Sequence, residues 1–309
     1  MPTLIVDTDG AADDAAALLI AARRPELAAV TVCGGVVDVD QAVHNVLVTL
    51  AAAGRPDVPV YRGAARSING APFPPAEDIH GPGGLGGHRY PAPARRAEDD
   101  PAHGVLAAAL HSSVTADPVT ILTLGPLTNI AVALAESGFE PSAPVRLVAM
   151  AGAQDAVGNV TPVAEYNVFC DPEAAAAVIG SGLDVTLVGW DVSRRDAVVG
   201  DDERRLIRRL STARAAFLLE ITSALDRFCR EVQGLAGFDL PDAAAAAVAV
   251  DPGVVTSSAA LPVGVETDGR LTRGMTVVDR RGGAAANPVT VVWGIDHGRL
   301  VDLLLDALG

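Results

Sequence analysis

Three observations predict an α/β fold, a mostly parallel central sheet flanked by helices. Short apolar runs rich in Val, Ile and Leu recur at 3–6, 28–32, 118–122, 145–150 and 185–188 and read as buried strands. Alanine-rich helical stretches fill the intervals at 13–22, 41–53, 104–111, 127–134 and 172–179. Strands and helices that alternate in this way imply βαβ units with right-handed crossovers, a Rossmann-like arrangement. In such sheets ligands bind beyond the carboxyl ends of the strands, so the motifs just after strands matter most.

The 309 residues suffice for one large domain, and no internal repeat or composition break divides them, so 1–309 reads as a single domain. Two stretches interrupt the alternation. Residues 67–101 are rich in Pro and Gly, with HGPGGLGGH running from His80 to His88, and read as a long mobile loop. Residues 201–232 are charged and apolar in helical rhythm and read as a flap-like helical region.

Composition narrows the function. Half of the residues are hydrophobic and a fifth are charged, as in a soluble globular protein. No apolar run reaches the roughly eighteen residues of a membrane span, and the start, MPTLIVDTDG, has no basic n-region or long apolar core. A cytoplasmic protein with no membrane partner is expected. A formal charge of −15 argues against a nucleic-acid partner and suits a bound divalent cation. All 23 basic residues are arginine, so imine chemistry and the P-loop lysine are excluded. Cys33, Cys170 and Cys229 lack metal-type spacing and read as reduced, packed thiols.

The strongest local signal is LIVDTDGAADDAAALL, which sets Asp7, Asp9, Asp13 and Asp14 straight after the first strand. One such Asp would read as a helix cap. Four carboxylates at a buried strand end repel one another and lose solvation, so a cation belongs among them. Oxygen ligands at this density suit Ca²⁺ or Mg²⁺ rather than zinc.

This segment resembles the DTDPGxDD opening of the inosine–uridine nucleoside hydrolase family, and the resemblance continues along the chain. It takes in LGPLTN at 124–129, GNVTPVAEYNVFCDPEA at 158–174, and Asp242 ahead of an apolar helix ending in Asp251 and Pro252. GMTVVD at 274–279 and the terminal helix complete it. The resemblance implies a nucleoside-hydrolase-type fold and calcium-dependent hydrolysis of the N-glycosidic bond of ribonucleosides or related N-ribosides. It implies metal ligation by Asp9, Asp14, Asp242 and the main-chain oxygen of Leu124, with Asp9 also the general base toward water. Asp13, Asn159, Glu165 and Asn167 would hold the ribose hydroxyls, with Asp7 supporting from behind. Relatives of this kind assemble as dimers or tetramers, so a homo-oligomer is expected. The partner is a small-molecule nucleoside or N-riboside.

Three positions depart from the pattern. The family's Pro-Gly is Gly10 and Ala11 here, and its Val-Ala-Gly-Asn is Val32, Cys33, Gly34 and Gly35, which removes a ribose-contacting Asn. The family's His-Asp-Pro reads Pro241, Asp242 and Ala243: the metal-binding Asp stays and the histidine that protonates a leaving base is gone. His80, His88 and Arg227 are the candidates for that proton, and Trp190 is a candidate stacking surface. Two other readings stand beside this one. A calcium-dependent ribose- or nucleoside-binding protein would keep the metal site without turnover. A haloacid-dehalogenase-like phosphohydrolase would explain DTDG but lacks its cationic lysine.

Overall fold

A computed structural model describes residues 3–112, 118–139, 144–155, 157–282 and 287–309. Eight strands form its central sheet: β1 (Thr3–Thr8), β2 (Leu27–Val32), β3 (Val60–Arg62), β4 (Val119–Thr123), β5 (Val145–Met150), β6 (Asp184–Val188), β7 (Val255–Leu261) and β8 (Val289–Ile295). Their spatial order is β3-β2-β1-β4-β5-β6-β8-β7. All neighbours pair in parallel except β7, which closes one edge antiparallel to β8. The five strands read from sequence lie within this sheet. The short β3 and the two late strands, β7 and β8, were not foreseen.

Alternation along each strand builds two cores. Leu4 and Val6 of β1 face one layer and Ile5 faces the other, as the period of two requires. Strand order reverses between β1 and β4, which leaves a crevice at their carboxyl ends. Asp7 is paired there with Thr31 on one side and Thr123 on the other, one residue before β1 ends.

Two alanine-rich helices complete the crevice. Ala12–Ala22 packs against Pro241–Val250, with Ala16 and Ala17 on the first and residues 243–247 on the second wholly buried. Methyl-sized side chains let the helices close in on each other at crystal-like density. Asp13 and Asp14 lie in the first turn of one helix and Asp242 in the first turn of the other. Helix N-termini carry partial positive charge, so carboxylates are placed where the backbone favours them.

The 67–101 stretch holds only the Glu77–His80 turn of helix and a 3₁₀ turn at Pro82–Gly84. Ala76, His80 and Leu85 are nevertheless buried. Gly86 permits this: its φ is +68°, and a Cβ there would lie 2.7 Å from the Ile221 carbonyl oxygen. The 201–232 region is three helices, Asp201–Leu210, Ala213–Ile221 and Ser223–Glu231, which bury Ile207, Leu218, Ile221 and Leu225. Arg204 binds Asp226 and Arg230 binds Asp201, two ion pairs that tie the first helix to the third. No helix among the described residues is long and apolar enough to cross a membrane.

Candidate active site at the β1–β4 crevice

One pocket is lined by Asp9, Asp13, Asp14, Leu124, Asn159, Glu165, Asn167 and Asp242, all the residues singled out in sequence as ligands or substrate contacts. Its cavity volume is about 100 Å³.

The acids at its floor are held by backbone. Asp14 caps its own helix: Ala11 N donates to Oδ2 at 3.0 Å, Asp9 N to Oδ1 at 3.2 Å, and the Thr8 hydroxyl also donates to Oδ1. Asp9 Oδ2 accepts from Val36 N at 2.9 Å. Asp13, Asp14 and Asp242 each offer a carboxylate oxygen within 4.8 Å of the other two. Asp9 stands beside Asp14 but outside that trio, turned toward Val36. Burial pushes the carboxyls of Asp9, Asp14 and Asp242 above the usual range, and mutual repulsion adds to it. Asp13 is pushed up to about 7 by the same burial. Buried oxygen donors that resist ionising together fit a hard divalent cation, which would restore all of them to the charged form.

Asp7 lies behind this floor. Its Oδ1 accepts from the Thr31 hydroxyl at 2.6 Å and Asn129 Nδ2 at 2.9 Å, while burial raises its pKa to about 7.

The adjoining wall comes from the segment after β5. Glu165 caps the Tyr166–Cys170 helix, accepting from Asn167 N and Gly152 N at 2.8 Å and from Val168 N at 3.2 Å. Asn167 Nδ2 donates to the Leu124 carbonyl oxygen at 2.7 Å and to that of Met150 at 3.0 Å. The carbonyl expected to face a metal is thereby oriented by a residue expected to face ribose. Asn159 stands exposed at the rim, in a turn closed onto Ala164.

The rest of the wall is where sequence reasoning was thinnest. Of the three proton-donor candidates, only His80 reaches the pocket. Its Nδ1 is 3.4 Å from Asp13 Oδ1, and burial lowers its pKa to about 4, so the imidazole is neutral at pH 7. His88 pairs with Glu220 at 3.0 Å and lines a separate cleft; Arg227 is exposed and does not line this pocket. Trp190 does line it, as do Leu225, Phe228, Gln233 and Asp239, four residues that the sequence did not single out. Asp239 could have been noticed, since it precedes Asp242 by three positions. The other three are unremarkable in sequence and become neighbours only through the packing of the Ser223–Glu231 helix.

Comparison with known proteins gives the family. Residues 4–302 match the family model described as inosine-uridine preferring nucleoside hydrolase. The chain is 37% identical to the pyrimidine-specific ribonucleoside hydrolase RihA of Shewanella sp. (strain ANA-3), over 99% of this chain and 95% of that one. Two solved structures superpose with a TM-score of 0.89, each over 99% of this chain and 98% of the other: the plant nucleoside hydrolase PpNRh1 at 29% identity and the purine-preferring ribonucleoside hydrolase from Gardnerella vaginalis at 30%. The chain belongs to the inosine-uridine preferring nucleoside hydrolase family and is a ribonucleoside hydrolase, a glycosidase acting on the N-ribosyl bond.

Proposed function

We propose that this hydrolase works with calcium, held by Asp14, Asp242 and the Leu124 carbonyl oxygen, with Asp9 completing the set and acting as general base. The observation that carries the reading is the convergence of Asp13, Asp14 and Asp242 at the facing N-termini of two alanine-packed helices. The cation, when bound, supplies charge compensation and Lewis acidity toward the attacking water.

The chain's own residues supply the remainder. Asp13, Glu165, Asn159 and Asn167 present both donors and acceptors, which a hydroxyl-rich sugar requires. Because the Asn167 amide nitrogen is taken up by Leu124 and Met150, its Oδ1 is the atom turned to a ribose hydroxyl. Departure of the base from C1′ leaves an oxocarbenium-like sugar, and the surrounding carboxylates stabilise that positive charge electrostatically. Asp9 takes the proton of the attacking water.

Calcium titration by calorimetry, run beside turnover of a nucleoside panel with and without chelator, tests this reading. The 37%-identical relative is named pyrimidine-specific, which makes uridine and cytidine the first substrates to try. Tight calcium binding with chelator-sensitive release of ribose is expected; turnover indifferent to chelator would overturn it. Pro241 favours a second reading, a nucleoside-binding protein without turnover, which would show saturation and no product.

A further inference from the structure

The pocket carries more acid than one divalent cation balances. Six carboxyl side chains line it, from Asp9, Asp13, Asp14, Glu165, Asp239 and Asp242, against one histidine and no arginine among the described residues. Five of the six have a place in the proposed reaction; Asp239 does not. It is 1% exposed, its Oδ2 accepts from the Ser193 hydroxyl at 3.2 Å, and its Oδ1 accepts from the Cys229 thiol at 3.3 Å. Both donors are neutral, and the Arg194 guanidinium, which stands over the Trp190 ring, attracts Asp239 only through space, with no hydrogen bond or ion pair to it. A buried carboxylate in this setting favours a positive partner.

Two further observations bear on what that partner is. Trp190, only 6% exposed, lines the pocket with its indole N–H unpartnered, and Gln233 lines it with a buried, unpartnered Oε1. One donor and one acceptor thus await a ligand that offers the complement. In addition, Pro241 lines the pocket at the head of its helix, and proline has no proton to give.

We propose that the preferred substrates are cationic N-ribosides of the pyridinium carboxamide type, with the positive aglycone against Asp239 and its carboxamide between Trp190 and Gln233. This rests on the ribonucleoside hydrolase reading and names its substrate class. In such a riboside the water oxygen bonds to C1′ as the C1′–N bond breaks, and both electrons of that bond stay on the ring nitrogen. The aglycone leaves as a neutral pyridine. The single proton set free comes from the water and passes through Asp9 to solvent, so no acid is needed at position 241. A neutral nucleoside gains nothing from Asp239 and still requires its leaving anion to be protonated.

The test uses the calcium-loaded enzyme with nicotinamide riboside, its neutral 1,4-dihydro form and uridine. Nicotinamide riboside should exceed uridine in kcat/KM by at least about tenfold, and the dihydro form should bind at least about tenfold more weakly than the cation. Asp239→Asn should lower the ratio of cationic to neutral turnover by about tenfold, with thermal unfolding confirming an intact fold. Equal binding of the charged and dihydro forms by the wild-type enzyme would overturn the proposal without recourse to a variant. So would a variant in which uridine turnover falls more than that of the cation, which would mark Asp239 as a proton donor instead. Uridine hydrolysis with no preference for the cation removes this proposal alone, whereas absence of turnover on every riboside removes the hydrolase reading with it.

Discussion

Gly35 approaches Asp9 so closely that a Cβ built on it would lie 1.9 Å from Asp9 Oδ2 and 2.7 Å from Asp9 Cβ. Rotating the Asp9 side chain cannot relieve the second contact, because Cβ moves only with the backbone. The same loop delivers the Val36 amide to Asp9 Oδ2 at 2.9 Å. Where the family resemblance places a ribose-contacting asparagine, this chain uses the absence of a side chain to hold its candidate base.

Gly35→Ala should therefore force the 34–36 loop away from Asp9 and break the Val36 hydrogen bond. A shift of about 1 Å in a catalytic group lowers kcat by about 10²-fold, and overpacking lowers stability by about 1–3 kcal/mol. Steady-state kinetics beside thermal unfolding measures both. A variant with unchanged kcat would show that Asp9 needs no such support.

Asp14→Ala and Asp242→Ala each remove a carboxylate from the convergent trio. Calcium binding by calorimetry and ribohydrolase activity should vanish together in either variant. Activity that survives in chelator would exclude the metal.

Asp9→Asn keeps an oxygen donor but no base. Calcium content should persist while turnover falls by about 10²–10⁴-fold. Equal rates for variant and wild type would reassign the base.

Stability without metal should decline as pH rises. Asp7 and Asp13, raised by burial from 3.8 to about 7, keep protons in the folded state that the unfolded chain has lost. Their contribution is fully present below about pH 4 and disappears as pH climbs through about 7. His80, lowered by burial from 6.5 to about 4, acts with the opposite sign: its contribution is present above about 6.5 and lost as pH falls through about 4. Asp9, Asp14, Asp242 and Glu165 are raised as well, so the acids outweigh the single histidine. In chelator the Tm should drop between about pH 5 and 8, and saturating calcium should flatten the profile. A Tm that climbs over this interval in chelator would contradict the burial of these groups.

Leaving-group ability should show mainly in kcat. With Pro241 in place of an acid, p-nitrophenyl riboside should turn over about 10²-fold or more faster than inosine, since its aglycone leaves as the weakly basic p-nitrophenolate anion and needs little protonation. Comparable rates for the two would point to another proton donor, with His80 the one candidate that lines the pocket.

Much of this protein could be read in one dimension. Apolar runs alternating with helical stretches specify βαβ units because side-chain period is a local property, and four carboxylates in eight residues point by simple repulsion to an acidic cluster that a cation would relieve. The resemblance then named Asp242, Glu165 and Asn167 from afar. What tertiary structure alone decided is how these distant segments meet. Residues 243–247 look like a compositional habit until they face Ala16 and Ala17, where small size lets two helices approach and bring Asp242 to Asp14. His80 sits in a glycine-rich loop that reads as exposed, and is buried because Gly86 admits the Ile221 carbonyl. Asp239 and Gln233 carry no motif. Gln233 follows the Ser223–Glu231 helix and Asp239 sits in a short strand paired with Val198 and Val199, so both reach the pocket only through packing between segments far apart in sequence, which local periodicity does not encode.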